Sequence, residues 1–148
     1  MKRERGQLKG DIVHEENQLD IVLSKIKEIK SCEATEINTA ALAVYLMNFY
    51  NGIENIMKRI AKDYYENMPK GADWHKDLLK RSCSRNGKKA LFSKETTDRL
   101  YDYLTFRHYF VHGYGFKLKW AEMKALADNA EALWMDIKSQ LAEFMSSF

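Results

Sequence analysis

The segment LAVYLMNFYNGIENIMKRIAKDY, residues 42–64, carries apolar side chains at mixed three- and four-residue steps. This spacing places them on one face of an α-helix, with polar and charged residues between them. The pattern predicts a long amphipathic helix from about Glu36 to about Glu66. Pro69 disfavours helix at the residue before it and Gly71 is free to turn, so we expect the helix to end there.

Three further segments show the same periodicity. They cover residues 11–30, the stretch from a candidate N-cap at Ser93 to a stop at Gly113, and residues 119–148. No stretch alternates polar and apolar residues as a strand does, and no unit repeats. The sequence therefore predicts an all-α fold, an up-and-down bundle of four long helices with a short helix in an insert at residues 70–90.

Length and composition bound the class of protein. The chain has 148 residues, the usual length of one domain, so we expect a single helical domain over residues 1–148, with residues 1–10 as a flexible basic tail. Its net charge of +3 is too small to prove a polyanionic partner. The beginning has no apolar stretch of signal-peptide length and no segment reaches membrane-spanning length, so we expect a cytoplasmic protein without membrane contact.

Positive charge is concentrated in the insert. Between residues 70 and 89 there are seven basic side chains against two acidic ones, around a short predicted helix at 74–80. One interpretation is a solvated loop. The other is a phosphate-binding surface, in which Trp74 and His75 supply rings of the kind that stack on single-stranded RNA. The candidate RNA-binding residues are Lys70, Trp74, Lys76, Lys80, Arg81, Arg85, Lys88 and Lys89.

The segment FRHYFVHGYGF, residues 106–116, mixes aromatic with chemically active side chains. His108 and His112 have the four-residue spacing of zinc ligands, but no third or fourth ligand is apparent, so we expect no metal and no other cofactor. Burial in the core explains the aromatic residues. It leaves Arg107, His112 and Tyr114 unexplained.

Two of these residues suit phosphate chemistry. The partial negative charge at a helix C-terminus favours a protonated His112, the form that a general acid needs, and Arg107 offers a fork of donors to a phosphate. On an ideal helix, side chains five residues apart point about 140° away from each other. The two converge only if the arginine reaches round the helix or the helix unwinds before Gly113.

Residues 107–114, RHYFVHGY, resemble the R-x4-H-x-Y motif of HepT-type toxins, which are members of the HEPN superfamily of helical-bundle ribonucleases. Glu54 and Lys58 match the E-x3-K element that HEPN proteins often carry on the helix facing the catalytic one. The resemblance covers about residues 10–146. The basic insert is its weakest part.

The resemblance implies a toxin endoribonuclease that needs no metal. The ribose 2′-hydroxyl would attack the adjacent phosphate, which leaves a cyclic phosphate and a free 5′-hydroxyl. His112 would take the acid/base role and Arg107 would clamp the phosphate, with Glu54 and Lys58 as supports. These last two also fit an ordinary surface pair one helical turn apart. One histidine does not readily serve as acid and base together, so the resemblance also implies a homodimer with two Arg-His motifs in one cleft.

Tyr114 has a separate implied role. HepT-type toxins are commonly silenced by a nucleotidyltransferase antitoxin of the MntA type, which transfers AMP units onto the tyrosine of this motif. The phenol of Tyr114 lies between Gly113 and Gly115, where we expect it to be exposed. A tyrosine that packs over the helix end is the plain alternative. Two other functions also fit: a non-catalytic HEPN module that binds nucleotides or substrates for a nucleotidyltransferase, and a simple interaction domain.

Overall fold

The computed structural model describes residues 2–83 and 89–148. Within them the chain forms five α-helices and no strand, which confirms the all-α prediction of four long helices and a short one. A short 3₁₀ turn at Gly115–Lys117 precedes the last helix. The helices are α1 (Lys2–Lys30), α2 (Glu36–Asp63), α3 (Trp74–Arg81), α4 (Lys94–His112) and α5 (Trp120–Met145).

The first helix begins much earlier than the sequence predicted. Residues 2–10 belong to α1, where the sequence had predicted a tail ahead of the first helix. Two tertiary contacts explain the difference. The Leu8 side chain is fully buried in the core, and the Arg5 guanidinium lies 5.1 Å from the ring centroid of Tyr64, just after α2. Packing against a neighbouring element, rather than local periodicity, fixes this end of the helix.

The helix α2 ends at Asp63, three residues short of the predicted end and before Pro69. The chain turns at Glu66, whose φ of 54° lies in the left-handed region, and turns again at Gly71, with a φ of 105°. Gly71 therefore has the turn role that the sequence predicted, since glycine adopts a positive φ without a steric penalty. The proline follows the end of the helix and does not cause it.

The helix α2 lies at the centre of the fold and contacts the four other α-helices. Its Phe49 ring packs edge-to-face against Tyr103 of α4, with ring centroids 5.3 Å apart, and against Trp134 of α5 at 6.4 Å. All three side chains are buried. Edge-to-face aromatic pairs stabilise a core beyond the area that they bury. Contacts with both α4 and α5 therefore hold α2 in place.

The packing of α1 on α2 depends on a glycine. A Cβ atom at Gly52 would lie 2.5 Å from Cδ2 and 2.9 Å from Cγ of Leu19, closer than carbon atoms approach in packed cores. Leu19 is itself buried. The absence of a side chain at position 52 lets the two backbones come close together, and it fixes the depth at which α2 sits in the bundle.

The insert is anchored on both sides of the undescribed residues. The Ser82 carbonyl accepts hydrogen bonds from the backbone N–H groups of Leu91 and Phe92, at 2.8 and 2.9 Å. The Tyr65 hydroxyl donates to the carbonyl of Lys89. These bonds fix α3 against the start of α4, and no helix in the described part of the chain is long and apolar enough to cross a membrane.

Candidate active site

Arg107 lies on α4 and points toward α2. Its Nε donates a hydrogen bond of 2.7 Å to the Oδ1 atom of Asn51, and the side chain is half-buried. Among residues 2–83 and 89–148, no carboxylate lies within 4.0 Å of the guanidinium. The Asn51 amide is neutral, so it orients the guanidinium without neutralising it. A half-buried arginine without a carboxylate partner is suited to hold an anion.

Tyr50 lies beside this pair and is fully buried. Within the described residues its hydroxyl has no hydrogen-bond partner. Burial, reinforced by the negative charge of Glu54, raises the pKa of the Tyr50 phenol far above its usual range, and the positive charge of Arg107 offsets this only in part. The phenol therefore stays neutral. The charges of Glu54 and Arg107 both act on it.

Glu54 is a buried carboxylate whose partner comes from α3. Its Oε2 atom lies 2.8 Å from Nδ1 of His75, while the glutamate side chain is only 6% exposed. Lys58 makes no ion pair with it. The Lys58 ammonium instead lies 5.3 Å from the ring centroid of Trp74. The interpretation of Glu54 and Lys58 as an ordinary surface pair is therefore wrong, because both side chains turn toward α3.

A cleft of about 340 Å³ opens beside these residues. Arg107 and His108 line it from α4, and His75 and Lys76 line it from α3. All four of these side chains bear or can bear a positive charge. One acidic group, Asp73, also faces the cleft. The balance of charge in the cleft favours an anion such as a phosphodiester.

His112 lies outside this cleft. Helix α4 continues to His112 without unwinding, so the arginine and the histidine keep their angular separation of about 140° within one chain. The histidine is exposed, and its ring centroid lies 4.5 Å from that of His108, which does line the cleft. The structure thus brings Arg107, His75 and His108 together and leaves His112 next to them, at the end of the helix.

The helix stops where the sequence predicted, for a different reason. Gly113 has a φ of −111°, which any residue can adopt. A Cβ atom at this position would lie 2.9 Å from the carbonyl oxygen of Tyr109. The glycine is therefore needed for the close approach of the chain to the last helical turn, and it places Tyr114 immediately beyond the helix.

Tyr114 is 66% exposed, so its side chain is not buried over the end of α4. Its ring stacks on that of Phe116, with centroids 5.6 Å apart, and the Lys117 ammonium lies 5.5 Å from the Tyr114 ring centroid. No hydrogen bond from the phenol occurs within the described residues. The Tyr114 side chain therefore lies at the surface.

The candidate RNA-binding residues of the insert fall into separate groups. Lys70, Lys76 and Lys80 are exposed, and only Lys76 among them lines the cleft. Arg81 donates to Asn67 at 3.2 Å, Lys89 donates to the Glu143 carbonyl at 3.3 Å, and Trp74 is half-buried against the core. Arg85 and Lys88 lie outside the described residues.

Sequence reasoning missed Asn51 and Tyr50 as members of the site, and it gave His75 only a stacking role. A usable signal was present. Asn51 precedes Glu54 by three residues and Lys58 by seven, so the three share one face of α2. Extending the E-x3-K element backward by one turn would have found the residue that holds Arg107. In the described part of the chain, no three His, Cys, Asp or Glu side chains cluster as a metal would require.

An all-helical bundle that presents an arginine and a histidine on one long helix, facing a glutamate and a lysine on another, defines the HEPN-like class of helical proteins. The sequence model of the HepT-like protein family matches residues 41–148, which include all five residues of the two motifs. The chain belongs to this HepT-like family. No curated protein and no solved structure matches it.

Proposed function

We propose that this protein is the toxin of a toxin–antitoxin pair and acts as a metal-independent endoribonuclease. Membership of the HepT-like family supports the general role. The single observation that carries the proposal is the state of Arg107. Its half-buried guanidinium is aimed by Asn51, has no carboxylate partner in the described chain, and lines a cleft with His75, Lys76 and His108.

In the proposed reaction the ribose 2′-hydroxyl of the RNA attacks the adjacent phosphorus. Arg107 binds the phosphate and stabilises the charge that develops on its oxygens in the transition state. His112, in the last turn of α4, transfers protons. Glu54 and Lys58 support the site from α2 through their contacts with His75 and Trp74. The products carry a 2′,3′-cyclic phosphate and a 5′-hydroxyl.

The substrate would reach the cleft along the basic insert. Lys76 faces the cleft itself, and Lys70 and Lys80 are exposed nearby on the same segment. Phosphate contacts of this kind position a strand without reading its sequence. We therefore expect RNA binding to weaken as salt concentration rises.

A homodimer completes the site in this proposal. Arg107 and His112 of one chain point in different directions, so a second copy would bring its own His112 to the cleft. The surface around His112 supports such an arrangement. Tyr109, Val111 and Phe116 are large, exposed and close together in the chain, and exposed apolar patches mark interaction sites.

Cleavage of RNA in EDTA by the purified protein tests the proposal. Arg107→Gln and His112→Asn should each lower kcat/KM by about 100-fold or more, because each removes transition-state stabilisation or proton transfer. Two control variants carry the same types of substitution at other positions. Arg99→Gln changes another α4 arginine, one that pairs with Asp136 at 2.7 Å, and His14→Asn changes an exposed histidine on α1. Both should cleave as the wild type does.

The ends of the products provide a second criterion. The expected products are labelled at the 5′-hydroxyl by polynucleotide kinase without prior phosphatase treatment. An inactive wild-type protein, or cleavage that survives both site variants, would contradict the enzyme claim. Inactivity with retained nucleotide or RNA binding would instead indicate the non-catalytic HEPN module.

Mixing the two inactive variants tests the dimer. If Arg107 of one protomer works with His112 of the other, co-refolded Arg107→Gln and His112→Asn chains form one intact site per heterodimer. Activity should then return to a substantial fraction of the wild-type rate. Mixtures that stay as inactive as each parent would show that both residues must lie in the same chain.

Regulation by a nucleotidyltransferase of the MntA type forms the last part of the proposal. The exposed phenol of Tyr114 would accept AMP units, which add negative charge close to His112 and repel the substrate phosphate. Incubation with the antitoxin and radiolabelled ATP should label the wild type and not Tyr114→Phe. Tyr101→Phe is the control, because Tyr101 is another exposed tyrosine, on α4, with 46% of its surface exposed. Equal labelling of Tyr114→Phe and the wild type would assign the modification elsewhere.

A further inference from the structure

The geometry points to His75 as the general base of the cleavage, a role that rests on the ribonuclease function proposed above. His75 lies in the first turn of α3, outside both sequence motifs. Its ring lines the same cleft as Arg107. A phosphodiester held by Arg107 therefore has an imidazole beside it that belongs to the same chain.

The orientation of the imidazole follows from its partner. Nδ1 lies 2.8 Å from the Glu54 carboxylate, which can only accept a hydrogen bond when it is ionised, so Nδ1 carries the proton. Nε2 is then the unprotonated nitrogen. Among residues 2–83 and 89–148 it has no hydrogen-bond partner, and the ring is partly exposed at the cleft. A lone pair in this position is ready to accept a proton.

The buried carboxylate positions the base and stabilises the charge that it gains. When Nε2 takes a proton, the ring becomes an imidazolium, and Glu54 at 2.8 Å stabilises that charge and holds the ring in one orientation. Glu54 is buried and Lys58 does not neutralise it. Burial of a carboxylate is costly unless it is paired. Its pairing with a cleft histidine, rather than with the lysine one turn away, is the arrangement that a positioned base requires.

The other charged groups around the ring come from three elements. Arg107 and His108 face the cleft from α4, Lys76 and Asp73 from α3 and the turn before it, and Glu54 approaches from α2. Arg107 is the group among them that binds the substrate phosphate. The bound phosphate neutralises the guanidinium that lines the cleft beside the ring.

The proposed step balances without a co-reactant. Nε2 of His75 removes the proton from the 2′-hydroxyl, and the O2′–P bond forms. The P–O5′ bond breaks, and O5′ leaves with a proton from the acid. His112 is that acid. In the proposed homodimer the second copy supplies this histidine, from the last turn of its α4. Two histidines with different surroundings thus divide the two proton transfers.

His75→Asn tests the role while preserving the structure. The asparagine amide can still donate to Glu54 but has no nitrogen that accepts a proton. kcat/KM should fall by about 100- to 10,000-fold. The ascending limb of its pH profile should disappear, because that limb reports the loss of a proton from the base of the free enzyme. His14→Asn serves as the control, since His14 is exposed on α1 and distant in sequence from the site.

Two further measurements separate a base from a structural residue. Glu54→Gln keeps the hydrogen bond to Nδ1 and removes the charge that stabilises the imidazolium, so kcat/KM should fall while the ascending limb persists. In a dinucleotide substrate with sulfur in place of O5′, the thiolate leaving group departs without protonation. On this substrate His112→Asn should recover toward the wild-type rate, and His75→Asn should remain slow.

The outcomes distinguish this inference from the proposed function. A wild-type protein that does not cleave RNA overturns both. If the wild type cleaves RNA and the His75→Asn variant folds and keeps the ascending limb of its pH profile, only the role of His75 is overturned. Recovery of His75→Asn on the sulfur substrate also overturns it as a base. A melting temperature of His75→Asn close to that of the wild type establishes that the variant is folded.

Discussion

Adding one methyl group at Gly52 should destabilise the fold. In Gly52→Ala the new Cβ would lie 2.5 Å from Cδ2, 2.9 Å from Cγ and 3.2 Å from Cδ1 of Leu19. Because Cγ is among the close atoms, a rotation of the terminal methyl groups does not relieve the contact. Leu19 is 1% exposed and is surrounded by core, so its side chain has no open space to move into.

The magnitude follows from two opposing effects. Overpacking a core by one methylene costs about 1–3 kcal/mol, and contacts this close belong in the upper half of that range. Replacing glycine by alanine inside a helix returns about 1 kcal/mol. The net expectation is a loss of about 1–2 kcal/mol in the free energy of unfolding. For a chain of this length it corresponds to a melting temperature lower by roughly 2–8 °C.

Gly10→Ala is the matched control. Gly10 also lies within a long helix, α1, but a Cβ there would meet nothing within 4 Å. The same substitution should therefore raise the stability by about 0.5–1 kcal/mol. Denaturant unfolding of both variants at one fixed protein concentration measures the difference, with concentration held constant because association would add to the apparent stability. Shifts of the same sign in both variants, or an unchanged Gly52→Ala, would refute the packing argument.

Three smaller predictions concern individual side chains. Tyr50→Phe should leave the stability at neutral pH unchanged or higher by up to about 1 kcal/mol, because it removes a buried hydroxyl without a hydrogen-bond partner in the described chain. In the wild type the raised pKa of Tyr50 adds stability that is present below about pH 10 and is lost above it, as the unfolded phenol ionises. Urea unfolding at alkaline pH should show a smaller loss of stability for Tyr50→Phe than for the wild type. Burial raises the pKa of Asp20, but hydrogen bonds from Trp134 and Lys138 outweigh it and hold the pKa below its usual value. Its contribution to stability is therefore present above about pH 4 and is lost as pH falls. Asp20→Asn should flatten the acid limb of the stability curve, and an unchanged limb would contradict the assignment. Ser93→Ala should lower the free energy of unfolding by about 1 kcal/mol, because the hydroxyl caps α4 by accepting the Thr96 N–H at 3.1 Å; a calorimetric melt that matches the wild type would count against the cap.

The site depends on the bundle in a specific way. Asn51 and Glu54 stand on either side of Gly52 and Ile53 on α2, and both hold side chains from other elements. The depth of α2 is set by its contact with Leu19 on the opposite side. A small shift of α2 would therefore change the position of Arg107 and His75 together. We expect Gly52→Ala to lower the cleavage rate as well as the stability.

Local sequence rules determined the helices well. Apolar periodicity predicted four long helices, and the N-cap at Ser93 is confirmed because a cap depends only on residues within one turn. The resemblance of residues 107–114 and of Glu54 with Lys58 to the HepT-type motifs led to the family, and the family match confirms it. The early start of α1 escaped prediction, since Leu8 and Arg5 gain their partners only from the folded core.

The sequence by itself therefore determined the helices, the family and the chemical types in the motifs. The tertiary structure decided which of those groups meet. The bond between Arg107 and Asn51 joins residues 56 positions apart, and the one between His75 and Glu54 spans 21. No periodicity encodes such pairs, because they depend on how deeply α2 sits against its neighbours. That depth results from the packing of the whole core, and it turned Glu54 from a candidate surface charge into the buried partner of a histidine in the cleft.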